Sequence, residues 1–185
     1  MISATDLRKG VTFELDGELY RVLEYHHSYI GRGSANVRTK LRNVRTGRTI
    51  ERTFAASEKV QEVRLELRQV QYLYRDGDLY YFMDTETYEQ PALSADTLED
   101  KVDYLKEGME LSLSMHEGEP VEIELPVTVD LAVAETEPGI KGDTATGTTK
   151  RAVVETGLVV QVPLFVEVGD ILRIDTRTGE YLTRI

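Results

Sequence analysis

The 185-residue chain contains no cysteine and no tryptophan. Without cysteine there are no disulfide staples and no thiolate metal sites, which fits a reducing compartment. Proline is scarce and one-sided: all five stand at or after Pro91, so the first 90 residues rely on glycine for their turns. No apolar run approaches the roughly 18 residues needed to span a bilayer, and the opening MISATDLRKG has no apolar h-region. The expectation is a soluble, unprocessed, cytoplasmic protein with no membrane partner. Only three histidines are present, and adjacent His26 and His27 point to opposite faces of a strand, so no metal site is expected. Asp76-Gly77-Asp78 with Asp84 and Glu86 lacks the ligand spacing of a calcium hand and reads as a hairpin turn. No nucleophile elbow, P-loop or dinucleotide fingerprint appears, and with 33 acids carboxylate pairs are uninformative. Hence no catalytic residue and no cofactor is expected.

What the chain does have is unevenly spread charge. The net −11 argues at first against nucleic acid, because phosphate binding draws on Lys and Arg. The distribution reverses this: residues 1–63 carry +3, residues 64–126 carry −11 and residues 127–185 carry −3. From Arg32 to Arg52 seven basic residues face a single acid, Glu51. A local positive patch therefore survives an acidic total. Of the ten tyrosines, six (Tyr72, Tyr74, Tyr80, Tyr81, Tyr88 and Tyr104) lie in the acidic middle, where core and cross-strand packing is the favoured reading over base stacking.

Alternation of period two in VTFEL, ELYRVLEYH, ELSLSM, PVEIELPVTVDLAV and DILRIDT predicts an all-β protein of small barrels or sandwiches. Turn signals punctuate it at Asp16-Gly17, Thr46-Gly47, Asp76-Gly77, Glu117-Gly118 and Thr178-Gly179. One short helix is predicted from the capping-box-like spacing of Asp96 and Glu99, with Leu98, Val102 and Leu105 following and Gly108 ending it. Composition breaks near Val63/Arg64 and Leu125-Pro126 give three candidate domains, 1–63, 64–126 (acidic) and 127–185.

Between Tyr25 and Arg45 the pattern predicts a β-hairpin whose tip loop, Ile30, Gly31, Arg32, Gly33 and Ser34, holds one arginine between two glycines. The outgoing strand places Arg38, Lys40 and Arg42 on one face, with Arg45 beyond. A guanidinium is a planar, permanently charged fork with five donors, suited to phosphate, ribose and carbonyl oxygens. A cationic probe on a cationic stalk implies a polyanionic target.

Farther on, KRAVVETGLVVQVPLFVEVG places Lys150, Ala152, Gly157, Val160, Val162, Pro163, Val166 and Gly169 in the pattern of bacterial elongation factor P. The resemblance extends to the N-terminal hairpin, ERTF at 51–54, FMDTETYEQ at 82–90, PGIKGDT at 138–144 and the terminal DTRTGEY. It implies an SH3-like KOW-type barrel followed by two OB-fold barrels in an L shape similar in outline to transfer RNA, acting as a monomer. It further implies a factor that binds the ribosome between the peptidyl and exit sites and relieves stalling at consecutive prolines, with the tip reaching the acceptor end of peptidyl-tRNA. Arg32 takes the tip position, which in other members is a lysine with a β-lysyl extension or an arginine carrying rhamnose. It is thus the candidate rhamnosylation site, with an arginine rhamnosyltransferase as a further partner. Modified members often have proline where Ile30 stands, so rhamnosylated and unmodified arginine both remain open, whereas lysylation is excluded by the absence of a tip lysine. The resemblance assigns ribosomal RNA and protein contacts to the factor, phosphate contacts to Arg38, Lys40, Arg42 and Arg45, and the exit-site codon of the mRNA or nearby small-subunit RNA to Gly142, Asp143 and Thr144. Alternatives are an elongation-factor-P-like paralogue with a different stalling spectrum and a general KOW/OB RNA-binding protein.

Overall fold

The structure, a computed structural model, describes residues 1–29, 31, 33, 35–139 and 148–185. Nearly all regular structure is β, organised in three barrel-like sheets. The first sheet runs β1 (Ile2–Ser3), β6 (Lys59–Glu62), β2 (Thr12–Leu15), β3 (Glu18–Ser28), β4 (Asn36–Asn43), β5 (Thr49–Ala55) in spatial order. A second has the order β11 (Glu119–Glu124), β10 (Glu110–His116), β7 (Glu66–Asp76), β8 (Leu79–Asp84), β9 (Ala92–Ser94). The third has β14 (Val159–Pro163), β13 (Thr149–Val154), β12 (Thr128–Thr136), β15 (Ile171–Asp175), β16 (Tyr181–Arg184). The chain divides into two compact units, one of Met1–Arg68 with Leu113–Glu122 and the other of Gln69–Ser112 with Ile123–Ile185.

Period-two alternation is what builds these sheets. Along β4, Val37, Thr39, Leu41 and Asn43 are buried while Arg38 and Arg42 stay exposed. From this row Leu41 joins Ala4, Leu7, Phe13, Val22, Phe54 and Val60 in one core, where Phe13 and Phe54 meet edge to face at 6.0 Å. Burying one such ring contributes about 1.5–3 kcal/mol. In the other unit, Val129, Leu131, Val133, Leu172 and Ile174 pack with Ala152, Val160, Val162 and Val166. Of the middle-segment tyrosines, Tyr72 and Tyr80 are buried and Tyr74 stacks on Tyr81 across the strands at 4.9 Å, but Tyr88 is 70% exposed.

The helix is shorter than the sequence pattern indicates. α1 (Ala95–Leu98) gives way to a 3₁₀ segment over Glu99–Tyr104, and the cap is Ser94, whose hydroxyl accepts from the Thr97 N–H at 3.3 Å, rather than Asp96. Ser94 stands three residues before Thr97, the usual cap-to-N3 spacing, while Asp96 lies inside the first turn beside the positive helix end. Among the described residues no helix is long and apolar enough to cross a membrane.

One turn recurs in all three sheets. Asn43, Asp84 and Asp175 each receive a hydrogen bond on their carbonyl from the fourth residue on, Gly47, Tyr88 and Gly179, at 2.8–2.9 Å. Each also donates its N–H to the fifth carbonyl, Arg48, Glu89 and Glu180. Their side-chain oxygens accept from backbone N–H groups inside the turn: Arg45 and Thr46, Glu86 and Thr87, and Arg177. A threonine hydroxyl, of Thr46, Thr87 or Thr178, takes one more N–H. The fourth residue has positive φ in every copy: 73° at Gly47, 61° at Tyr88 and 74° at Gly179.

Candidate nucleic-acid interface

The hairpin of β3 and β4, flanked by β5, forms the stalk. Its register pairs Ser28 with Asn36, His27 with Val37, His26 with Arg38, Tyr25 with Thr39 and Glu24 with Lys40. A bulge at Leu23 shifts the pairing between Val22 and Glu24. Extra residues of this kind re-aim every side chain beyond them. Simple alternation from Arg21 would put Leu23, Tyr25 and His27 beside the β4 cations. The bulge puts Glu24 and His26 there and turns Tyr25 and His27 to the other face. His26 and His27 thus project oppositely, and among the described residues no cluster of three His, Cys, Asp or Glu could hold a metal.

Arg38, Lys40 and Arg42 do share one face, as their spacing requires. They are accompanied by acids. Arg38 Nη2 donates to Glu51 Oε2 at 2.7 Å, and Lys40 Nζ lies 4.0 Å from Glu24 Oε1. Glu24, His26, Arg38, Thr39, Lys40 and Glu51 line a shallow polar depression on this face. The hydrogen bond from Arg38 and its charge hold the Glu51 carboxyl below the usual range, and the reciprocal bond raises Arg38 further above its own. With Arg38 66% and Glu51 60% exposed, the pair is well solvated and readily exchanged for another anion.

Arg45 is placed elsewhere. It follows the end of β4 distal to the tip, inside the Asn43 turn, and its guanidinium lies 3.5 Å from Glu119. Arg21 forms an ion pair with Glu122 of the same strand, β11. Of the tip, Gly31 stands at φ 51°, in the left-handed region where glycine avoids the Cβ penalty, with open space where a Cβ would be. Ile30, Arg32 and Ser34, and the sequence candidates Gly142, Asp143 and Thr144, lie outside the described residues.

The approach to 140–147 is described on both sides. Lys150, 9% exposed, donates from Nζ to the Glu137 carbonyl at 2.7 Å, and Thr136 Oγ1 donates to the Arg151 carbonyl at 3.0 Å. A Cβ on Gly139 would meet the Leu164 carbonyl oxygen at 2.4 Å, so only glycine lets the chain lie this close to that strand end. Sequence reading noted Glu51 within the basic stretch but not its pairing with Arg38, and it missed Glu24, which precedes that stretch and reaches the face only through the bulge. It also missed Arg8, which arrives from a different strand connection.

Three family models match consecutive segments: the Elongation factor P (EF-P) KOW-like domain over residues 3–60, the Elongation factor P (EF-P) OB domain over 65–123, and Elongation factor P, C-terminal, over 129–184. Elongation factor P of Moorella thermoacetica is 60% identical over 184 residues, covering 100% of both chains. That of Thermoanaerobacter sp. is 57% identical over 185 residues, again covering 100% of both. A solved structure, eukaryotic translation initiation factor 5A from Methanococcus jannaschii, aligns at TM-score 0.57 and 22% identity over 66% of this chain and 90% of that one, a likeness of fold. With the three segments matched in order and full-length relatives at this identity, the chain belongs to the bacterial elongation factor P family, whose members are translation factors and not enzymes.

Proposed function

We propose that this protein binds the ribosome between the peptidyl and exit sites and positions peptidyl-tRNA so that peptide bonds form at consecutive prolines. Proline is a constrained attacking amine, and a mispositioned peptidyl ester loses a proximity advantage of about 7–11 kcal/mol in well-oriented reactions. A factor that binds the productive placement more tightly than the others shifts the population toward reaction and need supply no acid or base. Arg32 at the hairpin tip orients the acceptor end, Arg38, Lys40 and Arg42 meet phosphates, and Arg45 contributes from the far end of the strand. Gly142, Asp143 and Thr144 approach the exit-site codon or nearby small-subunit RNA. The domains are 1–63, 64–126 and 127–185, and the protein works as a cytoplasmic monomer.

The observation that carries this reading is the shared face of Arg38, Lys40 and Arg42 on a strand that begins two residues after the tip loop. Reconstituted translation of a reporter with three consecutive prolines tests it. The protein speeds synthesis through the prolines and leaves a proline-free control unchanged, and Arg32→Ala loses the gain. Full activity of Arg32→Ala removes the tip from the mechanism. A general RNA-binding protein would instead show salt-dependent binding to free RNA without proline selectivity. Intact mass of protein from its native host decides whether Arg32 works bare or with a deoxyhexose, the product of a rhamnosyltransferase.

A further inference from the structure

The face of the stalk opposite Arg38 and Lys40 carries a different chemistry. Tyr25 is half-buried against the core, and His27, two residues nearer the tip, meets its ring edge to face at 5.7 Å. Tyr29 follows two residues after His27, just past the end of β3, and is 82% exposed. At the base of this row the Arg8 guanidinium lies over the Tyr25 ring, 5.2 Å from its centroid, with Nη1 3.5 Å from His27 Nε2. Arg8 is held in place, since Nη1 also donates to the carbonyls of Thr5 and Leu7, both at 2.8 Å. Among the described residues, no acceptor reaches its Nε or Nη2, and no carboxylate pairs with Arg8 or with the adjacent exposed Lys9. Asp6, the nearest acid in the chain, is exposed and makes no ion pair with either. On the other face each of Arg38 and Lys40 already has a carboxylate beside it.

We infer that Arg8, His27 and Tyr29 form a second RNA surface on the stalk, where unpaired nucleotides stack on the exposed His27 and Tyr29 rings while Arg8, held over Tyr25, and Lys9 meet their phosphates. The inference rests on the proposed role of the hairpin and assigns it a further set of contacts. Two features select unpaired RNA as the occupant. Tyr25 is capped by Arg8, but His27 and Tyr29 beyond it are exposed rings two residues apart, and exposed aromatic side chains are what single-strand binders stack bases on. The Arg8 guanidinium, exposed and anchored through Nη1, leaves its Nε and Nη2 donors for an anionic backbone. A protein partner with acidic side chains could satisfy Arg8 but would leave the exposed ring of Tyr29 without a stacking surface.

The test uses the full chain with benzoylphenylalanine replacing Tyr29, bound to ribosomes stalled ahead of consecutive prolines and irradiated. The expected adduct carries ribonucleotides. In the same system Tyr29→Leu and Arg8→Gln each reduce the proline-specific acceleration by about fivefold or more, as loss of one base stack would, and Tyr29→Phe restores most of it by keeping the π face. Because Tyr29 is exposed, its replacement leaves the core intact, and an unchanged melting midpoint checks this. Adducts only to ribosomal protein, or wild-type rates for both Tyr29→Leu and Arg8→Gln, overturn the inference while the role of the hairpin stands. Failure of the wild-type protein to accelerate proline synthesis overturns both.

Discussion

Lys150 closes a neck on Glu137: its Nζ donates to the Glu137 carbonyl at 2.7 Å, joining the chain just after β12 to the start of β13. A lysine only 9% exposed is costly to bury without such a partner. The Asp170 carboxylate, held low first by the Glu167 N–H and then by Arg184 and Lys150, adds a counter-charge. Lys150 therefore ties together the two strand ends that flank residues 140–147.

Lys150→Met keeps the apolar stem and removes the amine. The lost hydrogen bond, about 1.5–3 kcal/mol for a charged donor, is largely offset by relief of desolvation, so unfolding free energy changes by less than about 1 kcal/mol. Acceleration of the proline reporter falls several-fold all the same, because the neck is no longer fixed. Urea unfolding beside the translation assay separates the two effects. A large loss of stability with normal activity in the remaining folded protein would make Lys150 merely structural.

The repeated turn makes a second prediction, from the copy that lacks glycine. Tyr88 sits at φ 61° where Gly47 and Gly179 stand at 73° and 74°, and a left-handed non-glycine residue costs about 1–2 kcal/mol. Tyr88 is 70% exposed and has little packing to lose. Tyr88→Gly accordingly stabilises the fold by about 1 kcal/mol in urea unfolding. Gly179→Ala destabilises it by at least that much, since its Cβ would also stand 3.0 Å from Tyr104 Oη.

These same residues show where the sequence was readable. Thr46-Gly47 and Thr178-Gly179 announced their turns by glycine, and the Asp84 turn, with tyrosine in the glycine place, did not. The alternation of Val37 to Asn43 predicted which side of β4 faces the core, because a strand with one buried face has a single acceptable register. The bulge at Leu23 left no such mark: ELYRVLEYHHS alternates about as well with or without one inserted residue. The ion pair of Glu51 with Arg38, the placement of Glu24 beside Lys40, and the Tyr25–His27 contact behind them became visible only in three dimensions. The all-β character, by contrast, followed from turn spacing and strand length, while the expectation of three barrels came from composition breaks and the family resemblance.

Acid stability supplies a third prediction. The Asp175 carboxyl is held below the ordinary range, first by the Arg177 guanidinium and then by the Arg177 N–H. Its folded-state value lies below the unfolded one, about 3.9. The stability this difference gives is complete above the unfolded value and disappears as pH falls through the folded one. Asp175→Asn keeps the turn acceptor, as Asn43 does in the first sheet, and loses the charge. Wild type is the more stable at pH 7, and the two converge below about pH 3 in urea titrations across this range. A constant gap down to pH 2 would show that the turn geometry, and not the ionised carboxylate, provides the stability.

Under the proposed function, the pairing of Arg38 with Glu51 governs how the cation face would meet RNA. At 2.7 Å and well exposed, Glu51 occupies the fork that a phosphate would take, so binding exchanges one anion for another. That exchange gains little net charge neutralisation and releases fewer counterions than the count of stalk cations suggests. Glu51→Gln removes the competitor and leaves a neutral acceptor. Ribosome binding by the variant is tighter at low salt, and the slope of log K against log salt steepens by about 0.7–0.9, the increment for one phosphate contact. Co-sedimentation with ribosomes across a potassium chloride series measures both. An unchanged slope would mean that Arg38 meets no phosphate in the complex and that Glu51 serves to keep the stalk straight, in which case Glu51→Gln weakens binding at every salt concentration alike.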